Sequence, residues 1–206
     1  MDKTKKVIQF YLLANRLKNK IRSGWKAIDV QKERLESVAE HIYGTLMLAV
    51  ALDSEYDLQV DMNKVFKMLI LHELEEIVMP DYMPSQITAE EKIIAGKEAV
   101  KEVTKGLIKA QEIESLLDEF NAHESKESLL AYQIDKLECD LQAKSYDMEN
   151  ALVFENVKQD AKYLTDKDDI IKNAVHPSDI WIEVDRHLYK DEMFLELLNA
   201  IKNYKE

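Results

Sequence analysis

Four glycines and three prolines are all the backbone punctuation that 206 residues contain. Tight hairpins need residues that accept a positive φ or arrive with φ already set, so a meander of short strands has little to turn on. No segment alternates apolar and polar residues over a convincing strand length, and no internal repeat recurs. Apolar residues return instead at threes and fours, as in "AEEKIIAGKEAVKEVTKGLIKA" (89–110), which is the spacing of one helical face. The expected class is all-α.

Helix starts are legible in the same string. Ser37 and Glu40, then Thr88 and Glu91, have the spacing of capping boxes, and Asp61 can cap the helix that carries "VFKMLIL". The first box opens an apolar run from Val38 to Leu52. Further helical patterns cover about 110–121, 126–148, 150–164, 178–190 and 192–203, with Trp181, Phe194 and Leu197 on the inward side of the last two. Loops are expected at 22–35, 79–87 and 173–178. Without a linker, residues 1–206 read as one helical domain of about eight or nine helices.

The formal charge of −12 argues against a nucleic-acid polymer as partner, since phosphate backbones attract clustered Lys and Arg. The lone Cys139 excludes an intramolecular disulfide and suits a reducing cytoplasm. The stretch "VIQFYLLA" after the early lysines reads as an amphipathic helix rather than a signal peptide. No run approaches the ~18 apolar residues that span a bilayer, so no membrane is expected as partner.

Two helices, 38–52 and the one carrying "VFKMLIL", are apolar nearly all round, which marks them as central. Each carries a histidine, His41 and His72. At ~100° per residue on a continuous helix, Glu76 falls about 40° from His72 and Glu73 lies in the same arc. An imidazole and two carboxylates then share a face, while Glu75 turns to the other side, toward water. The zinc-protease pattern H-E-x-x-H fails, because the fifth residue of "HELEE" is Glu76. Asp135 sits off the apolar stripe of Leu130, Ile134, Leu137 and Leu141, at the flank of its helix. His123, His176 and His187 lie in polar surroundings and read as surface residues.

Taken together, "ERLESVAEH" (33–41), "HELEE" (72–76) and "DKLE" (135–138) resemble the motifs of the HD-domain metal-dependent phosphohydrolases, nearest the group of the bacterial 5'-deoxynucleotidases. The likeness covers roughly 5–150, which makes 150–206 a helical extension packed on the catalytic core. It implies an HD-type helical bundle with His41, His72, Glu73 and Asp135 as ligands of one divalent ion, drawn from Mn, Co, Fe or Zn. It further implies Glu76 as proton donor or acceptor, and Arg22 of "RSGW" on a phosphate. Trp25 would wall the sugar or base, and Asp81 would meet a sugar hydroxyl. The implied reaction is hydrolysis of a small phosphomonoester such as a (deoxy)nucleoside 5'-monophosphate, by a homodimer. Two residues depart from the pattern: Glu73 stands where the family has Asp, and Pro80 where it has Gly. Those departures motivate an alternative, a regulatory protein that binds metal and nucleotide without turnover. A purely structural acidic helical protein, holding no metal, is the third reading.

Overall fold

The computed structural model describes residues 2–80, 88–164 and 168–205. Among the described residues no strand forms; one isolated antiparallel bridge joins Ile21 to Ser37. The chain runs through α1 (Lys3–Ala14), α2 (Ser23–Ala27), α3 (Val38–Glu55), α4 (Met62–Leu71), α5 (Ala89–Thr104) and α6 (Ala110–Ala122). It continues through α7 (Lys126–Met148), α8 (Phe154–Leu164), α9 (Asp168–Asn173), α10 (Pro177–Asp185) and α11 (Glu192–Asn203). Three 3-10 helices, Asn15–Asn19, Leu74–Ile77 and Arg186–Leu188, follow α1, α4 and α10.

The expected helix starts are the observed ones. The Ser37 hydroxyl accepts from the Glu40 amide, and the Glu40 carboxylate accepts in return from the Ser37 amide at 2.9 Å, which closes a capping box on α3. Thr88 and Glu91 do the same on α5. Asp61 accepts from Asn63 and Lys64 at the head of α4. Two short helices, α2 and α9, escaped the pattern, because five or six residues show too little periodicity to read. α8 begins at Phe154 rather than near 150, since Asn150 takes a positive φ of 57° and ends the preceding helix there.

Two compact units emerge, Met1–Ser23 with Glu36–Tyr132, and Gly24–Leu35 with Gln133–Glu206. In the first, α5 lies on the Leu74–Ile77 segment and α3 packs on α4. Its core gathers Leu17, Val38, Leu74, Ile77, Val100, Val103 and Leu117. α3 and α4 are not buried all round: Tyr43, Met47 and Val50 of α3 and Ile70 of α4 are exposed. Full apolarity thus overstated their burial.

The second unit packs Trp25, Ile28 and Val30 against Ala143 and Tyr146 of α7, Val157 of α8 and Ile180 of α10. Phe194 and Leu198 are buried on α11, while Leu197 is only half-buried. Asp140, fully buried on α7, accepts a hydrogen bond from the Tyr189 hydroxyl at one oxygen, and its other oxygen has no partner among the described residues. Burial first, and the Asp185 charge second, push its pKa well above the ordinary 3.8, against the opposing Tyr189 hydrogen bond and the charges of Lys136 and Arg186. A raised carboxyl binds its proton more tightly folded than unfolded, so its stabilisation is full below pH ~3.8 and is lost as pH climbs through the raised value. Asp140→Asn keeps an acceptor for Tyr189 and removes the ionisation. The expected result is a gain of about 1–3 kcal/mol near neutral pH that shrinks to nothing toward pH 4. Melting curves of both proteins across that range check it, and parallel profiles contradict it.

Candidate metal centre

His72 closes α4 as its C-cap, and the α-helical path ends there. Glu73 has φ −102° and ψ 19°, and Leu74–Ile77 continues as a 3-10 helix. The wheel at 100° per residue therefore does not extend to Glu76. Lys20 stabilises this change of path: its ammonium donates to the backbone carbonyls of Glu76 and Met79, groups that a helix end leaves without intrahelical partners. Nothing in the lysine-rich N-terminal sequence singles Lys20 out for that task.

Three side chains of the first unit converge here. His41, one turn into α3, is 0% exposed. Its Nε2 lies 3.2 Å from Nε2 of His72, and Oε1 of Glu73 is 3.7 Å from each of the two nitrogens. The tautomer of His72 follows from its neighbour. A carbonyl oxygen only accepts, so the 2.7 Å contact with the Leu69 carbonyl requires a proton on Nδ1. Nε2 then presents its lone pair to His41 and Glu73. Phe120 packs beside the His72 ring, with centroids 5.6 Å apart and planes inclined at 54°.

The donor set fits a divalent ion. Metal bonds of ~2.0–2.2 Å to nitrogen and oxygen place neighbouring donor atoms on the order of 3–3.5 Å apart, close to the separations here. All three ligand atoms lie within 4.8 Å of one another, and all three residues are buried. Buried carboxylate and imidazole groups held this closely are costly unless a cation or hydrogen bonds compensate them. One compensating group is Arg22, whose Nη1 donates to Glu73 Oε1 at 2.9 Å. The antiparallel bridge at Ile21–Ser37 and the bond from the Arg22 amide to the Glu36 carbonyl fix the backbone from which that guanidinium reaches.

The remaining expected site residues fall in varied places. Glu76 is buried in the 3-10 helix of the first unit. Glu75 does not surface into water: its carboxylate lies against Gly96 of α5, where an added Cβ would come within 3.3 Å of it. Burial, reinforced by the Glu73 charge, raises its pKa. Asp135 belongs to the second unit, buried on α7, with Lys136 Nζ 2.9 Å from its carboxylate. Trp25 is 2% exposed in the second unit's core, edge-on to Tyr146 at 5.2 Å and 5.0 Å from Trp181. Asp81 lies outside the described residues. His176 and His187 are exposed as expected, whereas His123 is half-buried, stacked on Tyr132 at 4.0 Å.

The sequence profile of the HD domain matches residues 14–176. The chain belongs to the HD-domain family. The 5'-deoxynucleotidase HDDC2 of Dictyostelium discoideum is 33% identical over 148 residues, 68% of this HD-domain chain and 77% of the relative. The human 5'-deoxynucleotidase HDDC2 is 29% identical over 144 residues, 68% of each protein. A conserved hypothetical protein from Pyrococcus furiosus superposes with a TM-score of 0.68 at 25% identity, covering 96% of this chain and 99% of its own. A predicted metal-dependent phosphohydrolase from Magnetospirillum magnetotacticum gives 0.63 at 17% identity, over 96% and 90%, and speaks for the fold alone. Among the described residues no helix is long and apolar enough to cross a membrane.

Proposed function

We propose that the protein is a metal-dependent phosphohydrolase that removes phosphate from a nucleoside 5'-monophosphate. The observation that carries this reading is the buried pair of imidazole nitrogens 3.2 Å apart with the Glu73 carboxylate beside them, in a chain of the HD-domain family. Its similarity to proteins named 5'-deoxynucleotidase supports the substrate class.

His41, His72 and Glu73 hold the ion, with Asp135 assigned as fourth ligand on the strength of the sequence motif. Two imidazoles and two carboxylates suit one borderline-to-hard cation of the Mn, Co, Fe or Zn class. Such a cation supplies Lewis-acid polarisation of the phosphoryl oxygen and lowers the pKa of water. The protein's own residues do the rest. The Leu69 carbonyl holds His72 in the tautomer that offers Nε2. Arg22 donates to Glu73 from Nη1, and its planar, permanently charged fork is the geometry that suits phosphoryl oxygens, the role the motif gives it. Glu76, shielded from bulk water, carries the proton to or from the ester oxygen. Trp25 packs in the second unit's core, and the motif alone supports its ring as a wall for the sugar or base and Asp81 on a sugar hydroxyl. The likeness to the family also supports a homodimer, and the single cysteine supports a cytoplasmic setting.

The expected result is phosphate release from one or more nucleoside 5'-monophosphates, in a panel of ribo- and deoxyribonucleotides assayed with each of the four metals. Release that vanishes with chelator and returns with metal supports the reading. No turnover of any phosphomonoester by metal-loaded protein rejects it.

A further inference from the structure

The first unit carries a concave feature away from the metal centre, formed between α1 and the chain that leaves α5. It is a cavity of about 390 Å³. Phe10 and Leu13 of α1 and Val103 of α5 form its apolar floor, and Leu107 adds to the wall. Three cations, Lys6, Arg16 and Lys105, line it, against one acid, Glu102. Gly106, at φ 87°, makes the sharp turn that brings Lys105 and Leu107 to the same cavity, a backbone conformation side-chain-bearing residues rarely adopt.

The charge pattern there runs against the rest of the molecule. The chain as a whole carries −12, yet its first twenty residues hold five lysines and an arginine against Asp2 alone. None of Lys6, Arg16 and Lys105 forms an ion pair among the described residues, although acidic side chains outnumber basic ones by 40 to 28. Like charges kept together without counter-charges repel one another, and an anion among them relieves that repulsion. Leu12, another lining residue, is 58% exposed.

We propose that this cavity binds an amphiphilic anion: a medium-length acyl chain or an aromatic ring that bears a carboxylate or phosphate. The apolar body lies on Phe10, Leu13 and Val103, and the anionic head sits among Lys6, Arg16 and Lys105. The site is separate from the metal centre and its existence does not depend on the phosphohydrolase reading. Phe10, Leu13 and Val103 belong to the same hydrophobic cluster as Leu74 and Ile77, so an occupant packs on side chains that also anchor the segment after Glu73.

The test is calorimetric titration of the full chain with decanoate below its micelle concentration, beside decyl maltoside, which has the same chain and a neutral head. The expected result is one decanoate per chain, much weaker uptake of the maltoside, and at least about a tenfold loss of decanoate affinity in the Arg16→Glu/Lys105→Glu variant. Both substituted residues are exposed, and an unchanged melting temperature without ligand certifies the variant's fold. Leu12→Glu, at another exposed lining position, is expected to weaken binding as well. Co-sedimentation with anionic and with neutral phospholipid vesicles separates the two sources of such a ligand. Binding of free decanoate alone assigns a soluble amphiphile, and binding of anionic vesicles alone, lost in the same variants, assigns a lipid leaflet. No binding of either, or binding that the charge reversals and the neutral head leave unchanged, overturns the proposal.

Discussion

Replacing His72 with alanine is expected to leave the purified protein without its metal and to abolish phosphate release. Loss of a group that merely orients a ligand costs about 10–100-fold in metal affinity or activity, and loss of the ligand atom itself exceeds that. The substitution removes the lone pair that the Leu69 hydrogen bond aims at His41 and Glu73, and leaves those two a distorted partial site. It also opens a cavity beside Phe120, because His72 is buried and its ring packs there. Some instability, about 2–4 kcal/mol, therefore accompanies the chemical loss. Elemental analysis separates the two effects. Metal near one ion per chain in the parent, near zero in the variant, with both cooperatively folded by melting, is the expected outcome. His41→Ala, made at the other Nε2, is expected to behave alike. Stoichiometric metal retained in either variant would falsify the assignment of these imidazoles as ligands, and with it the core of the proposed chemistry.

How much of this was legible in the string of residues depended on whether the information was local. Capping boxes at Ser37 and Thr88 and the cap at Asp61 were read correctly because a cap is a contact between residues two or three apart. The His41–His72 pair was legible only through the register of motifs, since a separation of 31 positions says nothing about a 3.2 Å approach. The break after His72 was missed. Its cause is tertiary: Lys20, 56 residues away from Glu76, holds the carbonyls that let the chain leave α-helical geometry. Glu75 was misread for a related reason, because the glycine that receives it, Gly96, lies on another helix. The packing of Trp25 against Tyr146 and Trp181 is equally illegible, since neither partner is near it in sequence. The apolar count of α3 and α4 carried no record of which faces meet neighbours, so Tyr43 and Ile70 came out exposed.

Glu73→Asp is expected to weaken the centre, although it restores the residue that the family pattern has at this position. One oxygen, Oε1, stands 3.7 Å from each Nε2 and 2.9 Å from Arg22 Nη1, so a single atom serves the two imidazoles and the guanidinium together. Aspartate withdraws that oxygen by about one C–C bond, ~1.5 Å. From the same backbone position it can approach the histidines or Arg22, and a charge-assisted bond is lost beyond ~3.5 Å. The Arg22 backbone is tied to Glu36 and cannot follow without giving up that bond. The expected loss is about 10–100-fold in metal affinity or in phosphate release, the scale on which partners around a ligand act. Arg22→Met tests the other half of the same contact. With the guanidinium gone, Glu73 keeps its reach and no longer shares Oε1 with a second cation, so metal affinity without substrate is expected to hold or rise, while phosphate release falls. A glutamate left over from decay predicts the reverse for Glu73→Asp: a shorter side chain would then raise both metal content and rate. Equilibrium metal titrations beside turnover, on the parent and the two variants, decide between a longer carboxylate fitted to Arg22 and one that merely survived.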